Sequence, residues 1–248
     1  SSYASASSPT VQQVEQWVMQ SGNPSEPENQ WQATNLLQDW VSKSEDPSVP
    51  IILFQLLQET NQELVVFYTL TALGRLPLHE TQRIQLRNYL LTGFSQRPQA
   101  TSTFLRNKAA TILTQHILQD ILSWKTVGSD LIQLAANYPA LFLKTVDTLL
   151  EDFQMNEAER DSVRRVKDVL KGQYGDVPIA SGTSSNGGPS QTNSAGITLL
   201  EQLFDCVVRI LAAVLQNSNG NGSNSNGVNG SSKNNGPSSS TNDLTVLA

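Results

Sequence analysis

The sequence has few of the residues that build covalent frameworks, metal sites or catalytic sites. A single cysteine excludes both a disulfide framework and a multi-thiolate metal site. The two histidines, His79 and His116, are 37 positions apart and lack the spacing of a metal-ligand pair. Hydrophobic residues make up 38% of the 248 and charged residues 15%, both low for a soluble domain. The composition therefore gives no support to a disulfide scaffold or a zinc protein.

Long hydrophobic runs and a strong charge are also lacking. No apolar run reaches the roughly 18 residues that a membrane-spanning helix needs, so we predict no membrane insertion. The first eight residues have neither the basic nor the apolar region of a signal peptide, although the chain begins without Met and is interpreted as a fragment of a longer protein. The net charge of −6 argues against a surface that clamps nucleic acid as a whole.

No catalytic or cofactor motif is present. The sequence lacks a phosphate-binding P-loop, a His-Glu-x-x-His helix, a Gly-x-Ser-x-Gly elbow and a Gly-x-Gly-x-x-Gly turn. His116 shares a helical face with Leu105, Ala109 and Ile112, which favours a hydrogen-bonded core histidine over a general base. Cys206 lies among apolar residues, which favours packing over nucleophilic chemistry. We predict neither enzyme activity nor a cofactor.

Segments rich in Asn, Ser and Gly divide the chain. Residues 180–196 and 217–240 contain too few apolar side chains to offset the entropy of ordering, so we predict disorder there. The predicted organisation is a flexible end (1–8), helical repeats (9–172), a low-complexity insertion (173–196), an amphipathic helix of the next repeat (197–215) and a disordered low-complexity tail (216–248).

The pattern within the repeat region is helical. Apolar residues recur at three- and four-residue steps between prolines, and no strand-like alternation occurs. Predicted helices cover 9–20, 28–44, 51–59, 61–76, 80–94, 102–122, 124–137, 139–153 and 156–172. Short loops favour antiparallel hairpins, which we assign to 28–59, 61–94, 100–136 and 138–172. A period of roughly 35–45 residues predicts an all-α, HEAT-like α-solenoid, and a single helical bundle is the alternative.

Basic residues form two short stripes. Arg83 and Arg87 are four apart and share a helix face, as do Arg164 and Arg165 with their neighbours on a later helix. These four arginines are candidates for a partner-facing surface, because a solenoid can hold an acidic partner on such a stripe. A solvated helix face is the alternative reading, and acidic residues between the stripes would suit a basic partner instead.

One segment of the sequence indicates a particular protein family more specifically than the composition does. Residues Phe104, Leu105, Arg106, Asn107 and Lys108 are followed by a tryptophan, Trp124, sixteen positions after the lysine. We expect the arginine to bond groups of the adjacent repeat and the lysine to point away. This run closely resembles the exportin branch of the importin-β, or karyopherin, superfamily. Further features match the tRNA exportins (exportin-T) best, namely Ala109-Ala110, Lys125-Thr126, Asp147 and the charged helix 157–168.

The match has three departures. The Phe-rich stretch of the family is reduced to Val127-Gly128, residues 180–196 interrupt the helices, and a full exportin is several times longer. The resemblance implies the N-terminal part of a nuclear export receptor, which binds Ran in its GTP form and carries tRNA past nuclear pore proteins. It implies shuttling between nucleus and cytoplasm, with GTP hydrolysis left to Ran. An exportin for protein cargo and a generic HEAT-repeat scaffold are the alternatives.

Overall fold

The fold is entirely helical in the part of the chain that the structure describes. A computed structural model describes residues 8–42, 46–97, 102–155, 161–172 and 198–220. These contain no strand and the following α-helices: α1 (Val11–Ser21), α2 (Pro27–Ser42), α3 (Ser48–Glu59), α4 (Glu63–Leu73), α5 (Glu80–Asn88), α6 (Thr103–Asp120), α7 (Val127–Asn137), α8 (Pro139–Met155), α9 (Asp161–Leu170) and α10 (Leu199–Gly220). The prediction of an all-α protein is confirmed.

The chain divides into two compact units, residues 1–211 and 212–248. The first contains α1 to α9 and the beginning of α10. In the second, the described residues are the last turns of α10. The predicted disordered stretches lie mostly outside the described residues, but α10 continues to Gly220. The first residues of the predicted tail 216–248 thus belong to α10, and the rest of that tail lies outside the described residues.

Local signals in the sequence explain most helix ends. At the start of α1, the Thr10 hydroxyl accepts a hydrogen bond from the Gln13 amide at 3.2 Å, and the Gln13 side chain accepts one from the Thr10 amide at 2.8 Å. Pro27 and Pro139 are the first residues of α2 and α8, where a missing N–H costs nothing. Gly172 follows α9 with φ of 73°, a left-handed conformation that favours glycine.

The predicted helix 80–94 is not continuous. Its α-helical part ends at Asn88, a π-helical turn covers Tyr89–Gly93, and a 3₁₀ turn covers Phe94–Gln96. A Cβ on Gly93 would lie 3.0 Å from Cδ2 of Tyr89, so the glycine leaves room for the aromatic ring. Similarly, α7 begins at Val127 rather than at Trp124. Apolar spacing predicts that a segment is helical, but it does not distinguish α from π or 3₁₀ turns.

The helices that pack against each other are not the pairs that the predicted hairpins contain. Extensive contacts join α1 with α2, α3 with α4, and α7 with α8. The predicted units 28–59, 61–94, 100–136 and 138–172 instead paired α2 with α3, α4 with α5, α6 with α7 and α8 with α9, and that pairing is wrong. Both loops that flank a helix are short, so loop length alone does not show which neighbour packs against it.

Helix α6 is the most enclosed element of the first unit. It packs against α4, α5, α8 and α9. Its buried side chains lie on nearly every face of the helix, from Leu105 near the beginning to Asp120 at the end. The motif at the start of α6 and the polar residues at its end are therefore held by several helices at once.

None of the described helices is both long and apolar enough to cross a membrane.

Candidate functional site

The motif that begins at Phe104 occupies the first turns of α6. Leu105 is fully buried, whereas Phe104 is 50% exposed and stacks on Phe67 of α4 with ring centroids 3.9 Å apart. Asn107 is exposed, and its carbonyl accepts a hydrogen bond from Thr111 at 2.9 Å. The motif therefore spans the boundary between the core and the surface, with one aromatic face open to solvent.

The two basic residues of the motif do not lie as predicted. Nζ of Lys108 is 5.3 Å from the centroid of the Phe67 ring, so this side chain lies against α4 and does not point away. Burial, together with the positive charge of Arg75, lowers the pKa of Lys108. Arg106 donates to the Thr103 hydroxyl at 3.2 Å, within its own helix. The bond predicted from Arg106 to an adjacent repeat is replaced by this local contact.

Trp124 is the structural centre of the second half of the motif. Its side chain is 2% exposed, and its indole N–H donates to Oδ2 of Asp130 at 2.7 Å. The Thr126 hydroxyl donates to the same oxygen at 2.7 Å, which fixes the carboxylate at the start of α7. On the other side, the guanidinium carbon of Arg87 lies 4.2 Å from the ring centroid. Trp124 thereby connects α5 with α7.

The end of α6 places the carboxylate of Asp120 beside two basic side chains, and a third, Arg87, interacts with it electrostatically. Oδ2 of Asp120 lies 3.5 Å from Nε of Arg83 and 3.5 Å from Nδ1 of His116. Nη1 of Arg83 also donates to the carbonyl of Leu78 at 3.3 Å. Asp120 and His116 are both more than nine-tenths buried. We call Arg83, Arg87, His116 and Asp120 the interior charge cluster.

The electrostatics of the interior charge cluster are not fully balanced. Burial lowers the pKa of His116, and the hydrogen bond and charge of Asp120 oppose that shift. Burial also lowers the pKa of Arg87, against the attraction of Asp120 and Asp130. Nε of Arg83, Nε of Arg87 and Nδ1 of His116 are buried without a well-aligned hydrogen-bond partner. Two of these nitrogens, on Arg83 and His116, lie 3.5 Å from the carboxylate of Asp120, as ion pairs rather than as aligned hydrogen bonds.

The four candidate partner-facing arginines fall into two different environments. Arg83 and Arg87 belong to the interior charge cluster, and the Arg83 side chain retains 36% exposure. The Arg164 side chain is 73% exposed and lies 3.6 Å from the carboxylate of Asp161. Arg165 is exposed and borders an open cleft. A partner-facing role stays a prediction for all four.

Sequence reasoning missed the importance of Asp120. Its signal was available, because His116 and Asp120 are four residues apart and so share one face of α6. The arginines that complete the cluster come from α5, and sequence spacing does not report which helices are neighbours. His116 is buried, as its place on an apolar face predicts, and the acidic neighbour Asp120 at 3.5 Å was not predicted.

The side chains around the end of α6 interact through ion pairs and a cation–π contact. Within the described ranges, no three His, Cys, Asp or Glu side chains converge as a metal ion would require. Cys206 is half-buried on α10, and burial raises the pKa of its thiol, which disfavours the reactive thiolate. Comparison with family models, with curated proteins and with solved structures finds no match for this chain.

Proposed function

We propose that this chain is the N-terminal part of a nuclear export receptor of the tRNA exportin type, built as a HEAT-like α-solenoid. The observation that carries the proposal is the motif of Phe104 to Lys108 with Trp124 at its family spacing. Both parts occupy positions at which neighbouring helices meet: the start of α6 lies against α4, and Trp124 lies between α5 and α7.

Helix packing supports the repeat architecture. Helix α4 packs against α6, and α6 packs against α8, so these three alternate helices form a row. Helix α3 packs against α4, and α7 packs against α8. These two pairs are hairpins of the kind that a solenoid stacks side by side. Stacked hairpins of this kind bury a continuous core between repeats, and their surfaces bind other macromolecules.

The proposed partners are Ran in its GTP form, tRNA and nuclear pore proteins, with the receptor shuttling between nucleus and cytoplasm. Hydrolysis of GTP by Ran drives release, so the receptor itself is not an enzyme and holds no cofactor. The acidic chain, with 22 Asp and Glu against 16 Lys and Arg, favours a partner with basic surface for these repeats. In this proposal the RNA phosphates meet only a part of the receptor.

A binding experiment with purified components tests the proposal. Immobilised chain is incubated with Ran loaded with a non-hydrolysable GTP analogue or with GDP, each with and without tRNA. We expect retention of the GTP form alone, and stronger retention when tRNA is present. Retention that depends on a protein cargo would indicate the alternative exportin class. Failure to bind Ran in either form would leave only the scaffold.

Charge reversal locates the surface that carries binding. Arg164→Glu and Arg165→Glu, each made singly, alter exposed residues of α9, and Lys171→Glu provides a matched exposed control. Arg83 and Arg87 are less suitable for this purpose, because they contact Asp120 and Trp124 and their reversal would also disturb the fold. If the α9 arginines face a partner, their reversal weakens binding more than the control does. Equal affinities would remove them from the interface.

A further inference from the structure

Two half-buried lysines of this chain, Lys108 and Lys144, lie in contrasting chemical environments. Nζ of Lys144 donates to Oδ2 of Asp147 at 2.7 Å, within α8. Nζ of Lys108 lies 5.3 Å from the centroid of the Phe67 ring, on the side of α6 that packs against α4. The two amines therefore differ in the group that holds them, which is a carboxylate for Lys144 and an aromatic ring for Lys108.

Two aromatic rings form the surface on which Lys108 lies. Phe67 stacks on Phe104 with ring centroids 3.9 Å apart, and Phe104 precedes Lys108 by four residues on the same face of α6. Phe104 is 50% exposed, so the rings displace water from one side of the amine while its other side stays open to solvent. Loss of water disfavours an ammonium ion more than a neutral amine.

The surrounding charges act on the two lysines in opposite directions. Burial and the positive charge of Arg75, which follows α4, both lower the pKa of Lys108. Attraction to the face of the Phe67 ring favours the ammonium form by about 0.5–1 kcal/mol and so moderates this shift. The hydrogen bond to Asp147 and the charge of that carboxylate raise the pKa of Lys144.

The environment of Lys108 is of the kind that makes a lysine nucleophilic. Only the neutral amine carries the lone pair that can attack a carbonyl carbon. Partial desolvation and a neighbouring cation are two means by which proteins increase the population of that form. The carbonyl carbon of an acyl thioester is electrophilic enough to react with a neutral amine without further activation.

We propose that Lys108 is an acylation site, at which a small acyl thioester transfers its acyl group to Nζ. The amine attacks the thioester carbonyl carbon, the C–S bond breaks, and the thiolate that leaves takes up the proton released by the nitrogen. The amide that remains is neutral, so the reaction removes the cation from the face of Phe67. The proposal is independent of nuclear transport, because it depends only on the surroundings of this lysine.

Site-resolved acylation of the full chain tests this proposal. The donor is the acetyl thioester of N-acetylcysteamine, which is uncharged and is therefore not concentrated by nearby arginines. After a brief reaction near neutral pH, the chain is unfolded and its remaining amines are acetylated with deuterated acetic anhydride. The ratio of light to heavy peptides in mass spectrometry then gives the extent of reaction at each lysine. We expect Lys108 to react at least about threefold faster than Lys144. Equal rates, or a faster reaction at Lys144, would overturn the proposal.

The same reaction in concentrated urea separates the effect of the fold from that of the local sequence. Unfolding removes the aromatic surface from Lys108 and the carboxylate contact from Lys144, so we expect the two rates to become equal. A preference for Lys108 that persists in urea would arise from its neighbours in sequence and would contradict the proposal.

Two arginine variants test the contribution of the neighbouring cation. Arg75→Gln removes an exposed positive charge that acts on Lys108, and we expect the rate at Lys108 to fall by about twofold. Arg164→Gln removes an exposed positive charge beside Asp161 on α9, and we expect the rate at Lys108 to stay unchanged. If the two variants have equal effects, the environment assigned to Lys108 is wrong and the proposal falls with it.

Discussion

The guanidinium carbon of Arg87 lies 4.2 Å from the centroid of the Trp124 ring, while the indole N–H of the same ring donates to Asp130. A single buried side chain therefore contacts a cation of α5 on its face and a carboxylate of α7 at its edge. The aromatic face attracts the cation, and the N–H satisfies the carboxylate. In this position Trp124 connects two helices, α5 and α7, next to the end of α6.

Replacement of this tryptophan is expected to destabilise the fold. Trp124→Phe keeps a ring but leaves the carboxylate of Asp130 without its indole donor, so the free energy of unfolding falls by about 1–3 kcal/mol. Urea denaturation followed by circular dichroism measures the change. Trp31→Phe is the control, because Trp31 is 68% exposed and its replacement changes stability by less than about 0.5 kcal/mol. Equal stability of the two variants would argue against a structural role for Trp124.

In the motif at the start of α6, substitutions two residues apart are expected to have very different effects on stability. Leu105→Ala creates a cavity in the core and lowers the free energy of unfolding by about 2–5 kcal/mol. Asn107→Ala, at an exposed site two residues later, changes it by less than about 0.5 kcal/mol. Denaturant titrations of both variants check the prediction. A large loss at Asn107 would show that its side chain has a structural role that the fold does not indicate.

The stacked pair of Phe104 and Phe67 is expected to contribute less to the free energy of unfolding than Leu105 does. Phe104→Ala removes a half-exposed ring from a stack with a centroid distance of 3.9 Å, and we expect a loss of about 0.5–1.5 kcal/mol. The same titration provides the measurement, with Phe104→Leu as the control that keeps apolar volume without the ring. If Phe104→Leu keeps the stability of the unaltered chain, the stacking geometry adds nothing to the buried apolar area.

His116 is expected to make stability depend on pH. Burial lowers its pKa below the ordinary value of 6.5, so on acidification the unfolded chain binds a proton at this position before the folded chain does. The free energy of unfolding therefore decreases as the pH falls through about 6.5, and it levels off below the pKa of the folded state. The groups that face the ring are Asp120, which opposes the shift, and Arg83 and Arg87, which add to it.

Urea denaturation at several pH values between about 8 and 5 measures this effect around the histidine pKa. We expect a flatter dependence for His116→Gln than for the unaltered chain. Parallel curves would contradict the prediction. If the variant does not fold, an NMR titration of the His116 ring in the unaltered chain gives the same answer, and a midpoint at or above 6.5 would refute it.

Gly172 is expected to be sensitive to a single methyl group. Its φ of 73° is strained for any L-residue, so Gly172→Ala lowers the free energy of unfolding by about 1 kcal/mol. The nearest atom to an added Cβ is Cγ2 of Thr198 at 3.8 Å, an ordinary contact, so the loss arises from the backbone. Lys171→Ala, at the preceding exposed position, serves as the control, and an equal loss there would contradict this explanation.

The sequence predicts the helices well because their signals are local. Apolar spacing, prolines at first turns and Gly172 at an end all act within a few residues, and the predicted and observed helices largely coincide. Pairing is not local, since α2 is connected by short loops on both sides and packs extensively only against α1. For the same reason the sequence does not indicate that Arg83 lies beside Asp120 or that Arg87 lies over Trp124, and the partner-facing role of both stays a prediction.

The packing order of the helices also bears on how rapidly the chain can fold. Every extensive contact joins helices no more than three positions apart along the chain, as in α1 with α4 and α6 with α9. Contacts between segments that are close in sequence require only short loops to close, so forming them costs little chain entropy. Domains of such low contact order typically reach the native state in microseconds to milliseconds. We expect residues 8–172 to refold on this time scale, with α6 acquiring its neighbours from both directions of the chain.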